Sequence, residues 1–487
     1  MSESLIFEKS VSGRRGVTFP EVTQSIEALI PEKYQRSIPL PLPEISENDL
    51  IRHYTRLSSE TYGVDTGFYP LGSCTMKYNP KIHEEVARYA EFAGIHPLQP
   101  DVIVQGALQV LFELQQYLSE ISGMDHVSLT PSAGAQGELV GMLMVRAYHR
   151  SRGAIGRLRV NVIIPDSAHG TNPASATLAG FNIVMVKTNS EGGIDLNDLM
   201  RVVDHKTAAM MLTNPNTLGL FEKEIGKISK IVHDAGALLY LDGANLNALL
   251  GLTRPGDLGF DIVHFNLHKT FSTPHGGGGP GAGPVGVKSH LIPYLPYPLI
   301  EKSKKGYYLE KGRRKSVGRV HGFYGNFGIL LRAYTYIRRL GAEGLSAISR
   351  NTIINANYLK NQINASFPVP YDRPCMHEFV VSAKKFRPQG VHAWDIAKRL
   401  IDYGFYPPTV NFPLIVDEAL MIEVPESESK ETIDSFATAL LAICEEIEKD
   451  PKKLTDAPQS RKIKRVDEVF AARRLNVRYT PPCGMIS

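Results

Sequence analysis

Leu238-Leu239-Tyr240-Leu241-Asp242-Gly243-Ala244-Asn245, followed by Asp261-Ile262-Val263-His264-Phe265-Asn266-Leu267-His268-Lys269-Thr270, decides the fold. Each piece is an apolar run of strand length that ends in residues able to do chemistry: Asp242 in the first, His268 and Lys269 in the second. Working outward, similar short runs fall at 208–212, 183–186, 160–164 and 127–129 upstream and at 285–287 downstream. Helix-like stretches such as 225–235 separate several of them. Strands alternating with helices predict an α/β unit built on a mainly parallel sheet with helices on both faces. Upstream, Leu108, Leu111, Leu114 and Leu118 line one side of a predicted helix over 101–121, and a second helical pattern runs to Arg150. Downstream of Gly328 a long helical pattern reaches Asn364. A smaller α+β unit follows, with strands at 378–382 and 419–424 and helices at 394–403 and 433–447. The expected organisation is an arm over 1–60, a large domain over 61–328, a small domain over 329–455 and a basic tail over 456–487. Pro31, Pro39, Pro41 and Pro43 predict an arm without long regular structure, suited to wrapping a neighbour.

At 487 residues the chain is too long for one core. Its 43% apolar and 21% charged residues are ordinary for a globular protein, and a net charge of +4 argues against a nucleic-acid binder. No apolar run reaches membrane-spanning length, and residues 1–20 lack the apolar segment of a signal peptide. Cys74, Cys375, Cys444 and Cys483 form no Cys-x-x-Cys pair, so reduced thiols in a cytoplasm are expected and no metal site is.

An acid at the carboxyl end of a buried strand lies where open α/β sheets bind ligands. Asp242 is costly there unless a cation or hydrogen-bond donor meets it. A protonated pyridine nitrogen would do so; capping the following helix is the other reading of the same residue. Lys269 facing that crevice is suited to forming an imine with an aldehyde. Ser132-Ala133-Gly134-Ala135-Gln136-Gly137 opens a helix with small residues, as a phosphate seat does and as close packing against a strand also does. His169, after the 160–164 run, can stack on a flat ring or move a proton, and Thr217, after the 208–212 run, can reach the same crevice. Pro274-His275-Gly276-Gly277-Gly278-Gly279-Pro280-Gly281 is a loop that allows close approach to a ligand, and no Gly-Lys-Ser/Thr follows it. Together these residues suggest pyridoxal 5'-phosphate, bound by Lys269 and paired with Asp242.

Four motifs carry a resemblance. Pro70-Leu71-Gly72-Ser73-Cys74-Thr75-Met76-Lys77, Ser167-Ala168-His169-Gly170-Thr171-Asn172-Pro173-Ala174-Ser175-Ala176, Leu241-Asp242-Gly243-Ala244-Asn245 and Asn266-Leu267-His268-Lys269-Thr270-Phe271 with the glycine run resemble the glycine cleavage system P-protein family, the decarboxylating glycine dehydrogenases. The resemblance spans about 55–290. Its length resembles the second, cofactor-carrying subunit of the two-subunit form. It implies an aspartate-aminotransferase-like large domain (pyridoxal-phosphate fold type I). In that reading Lys269 holds the cofactor, His169 stacks on its ring, Asp242 faces the pyridine nitrogen and Ala133, Gly134, Ala135 and Gln136 bind phosphate. Thr217, Ala244 and His268 are further expected contacts. This chain reads Ser-Ala-Gly-Ala where other members often read Asn-Ser-Gly-Ala. The implied reaction, an oxidoreductase step, removes CO2 from glycine and passes the aminomethyl group to the lipoyl group of an H-protein, with Lys269 or His169 handling protons. The implied partners are a first-half subunit, in a heterodimer or heterotetramer, and the lipoylated H-protein. Lys302, Lys304, Lys305, Lys311, Arg313, Arg314 and Lys315, against Glu310, are the candidate dock for an acidic carrier, or else a solvated loop. The rival readings are another enzyme of this fold (a decarboxylase, aminotransferase or desulfurase) and a non-catalytic partner subunit.

Overall fold

The computed structural model describes residues 3–20, 23–38, 40, 42–276 and 281–479. Pro39, Pro41, Gly277, Gly278, Gly279, Pro280 and Cys483 lie outside the described residues. The chain divides into two units, Met1–Gly67 and Phe68–Ser487.

In the first unit the described residues before Glu47 form only short helical turns, but the arm is not without longer regular structure. Helix α1 (Glu47–Ser59) starts where the prolines stop, and the Ser46 hydroxyl caps it by accepting from the Asp49 N–H at 3.2 Å. Phe19, Leu29, Ile38 and Leu42 of this unit are all exposed.

In the second unit, helix α2 (Gln105–Ser122) buries Leu108, Leu111, Leu114 and Leu118. Strand β1 (His126–Ser128) leads to α3 (Gly134–Arg150), then β2 (Asn161–Pro165), α4 (Thr171–Leu178), β3 (Asn182–Val186) and β4 (Thr207–Thr213). Helix α5 (Ile225–Asp234) precedes β5 (Leu238–Gly243) and β6 (Ile262–Phe265). The helical turn α6 (Leu267–Thr270) and β7 (Val285–Val287) follow. The sheet order is β1-β7-β6-β5-β4-β2-β3. Strands β3, β2, β4, β5 and β6 are parallel, and β7 runs against both β6 and β1. Strands β4, β5 and β6 are buried along their whole length, which is why their sequences are continuous apolar runs. The carboxyl ends of β2, β4, β5 and β6 open on the same side, next to the point where the strand order reverses between β2 and β4.

Two features depart from expectation. Residues 299–310 form a hairpin, β8 (Leu299–Ser303) and β9 (Gly306–Glu310), so Lys304 and Lys305 sit at a tight turn. Arg313 is not part of a free basic run: it bridges Glu301 at 3.1 Å and Glu310 at 2.6 Å. The long helix α7 (Phe327–Ile363) is kinked at Gly341, whose φ of 62° and ψ of −175° no helix admits.

The remaining elements build the expected α+β unit. Strands β10 (Glu378–Ser382), β11 (Thr409–Val410) and β12 (Ala419–Glu423) pair antiparallel in the order β10-β12-β11. Helices α8 (Ala393–Asp402) and α9 (Lys430–Lys449) pack with them around Phe379, Leu420, Ile422, Phe436, Leu440 and Ile443. The two-residue β11 is too short to register as a periodic pattern.

Candidate active site

Asp242 is the centre of the site. It ends the buried strand β5 and is itself fully buried. Its Oδ2 accepts from His169 Nε2 at 2.6 Å, Asn172 Nδ2 at 2.9 Å and Thr213 Oγ1 at 3.4 Å, and its Oδ1 from the Ala244 N–H at 2.9 Å. Burial by itself would raise this carboxyl. The positive charge of His169, the nearby His264 ring and the His169 and Asn172 hydrogen bonds outweigh burial and hold it well below the usual carboxylate range. Burial opposes protonation of His169, but the Asp242 charge and hydrogen bond prevail and its pKa is raised. His264 faces Asp242 across the β5–β6 ladder, 3.3 Å from Oδ1, and burial pushes it down to about 4.

Glu138 of α3 completes the cluster. Asn172 Nδ2 also reaches its Oε2, at 3.1 Å, so one amide spans two carboxyl groups. Burial, and then the Asp242 charge, push Glu138 up to about 8. At neutral pH the ionised member of the pair is therefore Asp242. The folded chain keeps the Glu138 proton between the ordinary value of 4.5 and about 8, whereas the unfolded chain releases it, so stability falls as pH rises through that window. Glu138→Gln cannot ionise and keeps an acceptor for Asn172. Thermal melts of the variant are expected to lose less stability between pH 5 and 8 than the parent, by up to about 1.4 kcal/mol per pH unit.

Lys269 lies on the turn α6 rather than at the strand end itself. Its Nζ donates to the Ser73 carbonyl at 2.8 Å. The nearby imidazoles are neutral: burial pushes His268 down to about 3 and His275 down to about 4, helped by neighbouring positive charge. His268 packs edge-on to His275 and against Gly281, where an added Cβ would come within 2.4 Å of Nδ1.

Helix α3 starts with Ala133 as its N-cap. Its first-turn N–H groups have no partner inside the helix and face the same crevice side of the sheet. Both alternatives for the small residues are met in part. A Cβ on Gly134 would fall 1.9 Å from Asn266 Oδ1, and one on Gly137 2.6 Å from the Gly283 carbonyl, so the backbone here is close-packed. The Gln136 side chain is engaged at both ends: it accepts from the Ser132 N–H at 2.6 Å and donates to the Val320 carbonyl at 2.7 Å. Only the backbone of Gln136 is left to face a ligand. Thr217 donates to the Ser167 carbonyl at 2.6 Å and so braces the loop that carries His169.

Asp242, His169 and Ala244 thus meet directly, with Lys269 and His268 on the adjoining turn and Ala133 to Gln136 at the helix start. Asn172, Glu138 and His264 were not singled out from sequence. Strand register offers a signal for His264, because it is paired with Asp242 in the β5–β6 ladder and so shares its face of the sheet. Glu138 and Asn172 sit on two different helices, and no local pattern joins them.

The sequence pattern of the glycine cleavage system P-protein family matches residues 17–308, and that of the glycine dehydrogenase C-terminal domain matches 348–465. Proteins named probable glycine dehydrogenase (decarboxylating) subunit 2 from Bacillus thuringiensis and Bacillus anthracis are 54% identical over 483 residues, 99% of this chain and 98% of theirs. The chain belongs to the glycine cleavage system P-protein family. In fold it is similar to a crystal structure of the glycine decarboxylase P-protein (TM-score 0.73, 22% identity, covering 86% of this chain and 95% of that one). It is also similar to a cysteine desulfurase of Escherichia coli (TM-score 0.59, 15% identity, 79% and 96%). The fold is the aspartate-aminotransferase-like fold expected from the motifs. The site's own donors fit pyridoxal phosphate: an ionised, fully buried carboxylate suits a pyridinium nitrogen, Lys269 offers an amine, and a helix start offers N–H groups to a phosphate.

Proposed function

We propose that this chain decarboxylates glycine with pyridoxal phosphate and passes the aminomethyl group to a lipoyl group on a carrier protein, as the cofactor-carrying member of the glycine cleavage system. The observation that carries this reading is the ionised Asp242 at the floor of the crevice, in a chain of this family. The cofactor, when bound, supplies an electron sink for the bond to CO2. With the cofactor bound, Asp242 would keep its pyridine nitrogen protonated, His169, hydrogen-bonded to Asp242, would cover the ring and hold a proton, and Lys269 would be the amine that holds the cofactor. The first turn of α3, residues 133–136, seats the phosphate by its backbone, and Ala244 and Thr217 hold Asp242 and the His169 loop in place. Residues 61–328 form the cofactor unit, 329–455 its cap and 456–487 a basic tail.

The partner reading is part of the proposal. The relatives are named as second subunits, and Phe19, Leu29, Ile38 and Leu42 leave an apolar surface on the arm that a first subunit would cover. The free thiols of Cys74, Cys375 and Cys444 suit a cytoplasmic setting. Exchange of labelled bicarbonate into glycine tests the reaction. It is expected only with a first subunit and a lipoylated carrier present, and near absence from the chain alone is part of the prediction. Exchange without lipoate would favour an ordinary decarboxylase. Lys304 and Lys305, exposed at the β8–β9 turn, and Lys311 and Arg314, exposed just past the end of β9, are the steering residues. Changing these four to Gln should raise the KM for the carrier and flatten its salt dependence while leaving the KM for glycine unchanged.

A further inference from the structure

The motif Gly72-Ser73-Cys74-Thr75-Met76, which supplies the carbonyl that receives Lys269, has its backbone held in an unusual shape. Ser73 and Thr75 have φ of 59° and 42°, values that residues other than glycine keep only where their surroundings impose them. Gly72 runs against β12, where a Cβ would fall 2.2 Å from Met421 Cγ, and its carbonyl accepts from Thr409 Oγ1 at 2.9 Å. At the other end, the buried Lys77 amine donates to Asn247 Oδ1, the Thr270 carbonyl, Tyr336 OH and Glu426 Oε1, all within 3.0 Å.

Two acids hold the loop between these anchors. Glu378 and Glu423 face each other across the β10–β12 ladder, and both are fully buried. Glu378 accepts from the Ser73 N–H at 2.5 Å and the Ser73 hydroxyl at 3.1 Å. Glu423 accepts from the Thr75 N–H at 2.8 Å and the Thr75 hydroxyl at 2.5 Å. Two carboxyl groups opposed in a core are unfavourable, and apolar residues would pack there without the penalty. Burial pushes Glu423 up to about 7, and burial followed by the Glu423 charge raises Glu378 well above the ordinary carboxylate value. What the pair achieves is to fix the stretch between the clamps, which carries the Ser73 carbonyl that receives Lys269 Nζ and the Cys74 carbonyl that meets His275 Nε2 at 3.2 Å.

We propose that Glu378 and Glu423 are positioning residues, clamping the loop so that the Ser73 carbonyl is the seat of the Lys269 amine whenever that amine is not bonded to the cofactor. The inference rests on Lys269 being the cofactor lysine. A carbonyl seat aims the amine without locking it into an ion pair, as a carboxylate at the same distance would.

The test uses the full-length apo chain. Pyridoxal phosphate is added, the adduct is reduced with borohydride at timed intervals, and peptide mass spectrometry locates and counts it. Thr75→Val removes the hydroxyl donor at constant shape, Thr75→Ser keeps it, and Glu423→Gln and Glu378→Gln each weaken one clamp. Capture at Lys269 is expected to slow about tenfold in the Val and Gln variants, the scale of one lost buried hydrogen bond. Thr75→Ser should capture at the parental rate, and the melting temperatures of the Thr75 variants should match. Rates within twofold of the parent in every folded variant would overturn the clamp. So would a slow Thr75→Ser, or a loss that merely tracks unfolding. An adduct on a lysine other than Lys269 would instead overturn the reading on which the clamp rests.

Discussion

Lys269→Ala is expected to abolish both the visible absorbance of the bound cofactor and all turnover, while the apo chain keeps its far-ultraviolet circular dichroism and melting behaviour. The side chain is half-buried and, among the described residues, hydrogen-bonds only to the Ser73 carbonyl, so the fold loses little with it. The chemistry loses its only covalent hold. Lys269→Arg should do no better: a guanidinium stays protonated at any working pH and cannot form the bond, although it can still reach Ser73. Absorbance spectra with added pyridoxal phosphate, together with bicarbonate exchange, check both. Full turnover in either variant would remove Lys269 from its assigned role.

Asp242→Asn should bind the cofactor but react slowly, by several powers of ten. The amide keeps the shape and retains an acceptor for Ala244 or His169, so assembly of the site is preserved. What disappears is the negative charge. Without it neither the pyridinium nor the His169 imidazolium is favoured, because the Asp242 charge is what overcomes burial at His169. Each 1.4 kcal/mol of lost stabilisation is about tenfold in rate, and a charge-assisted hydrogen bond in a dry site is worth about twice that. The pKa of His169, followed by NMR, should fall in the same variant, since burial then acts unopposed. A near-parental rate with an unchanged His169 would leave Asp242 as a helix cap only.

These two residues illustrate what was legible early. Asp242 and Lys269 stand at the ends of apolar runs whose length and spacing report buried parallel strands, and the carboxyl end of such strands is where a crevice must open. Gln136 shows the limit of the same reasoning. Small residues at a helix start signal backbone access, but nothing local indicates that its amide is tied to Ser132 and Val320. The basic run at 302–315 is similar: charge counted along the chain missed Glu301, which a hairpin brings to Arg313.

By itself, then, the sequence determined the α/β alternation, the strand-end placement of Asp242, the placement of Lys269 shortly after the next strand, the small-residue helix start and the family. Each of these is written in local periodicity or in a contiguous motif, because strand and helix repeats are set by backbone geometry within a few residues. Tertiary structure alone decided that Asn172 spans Asp242 and Glu138, that Glu138 rather than Asp242 carries the proton, and that Glu378 and Glu423 grip a loop about 300 residues or more away in the chain. Hydrophobic patterning says that such groups are buried, not which of them meet. The pairing follows from strand register and from how two cores pack, and the protonation follows from the pairing, because in a low-dielectric interior neighbours a few ångströms away set the charge.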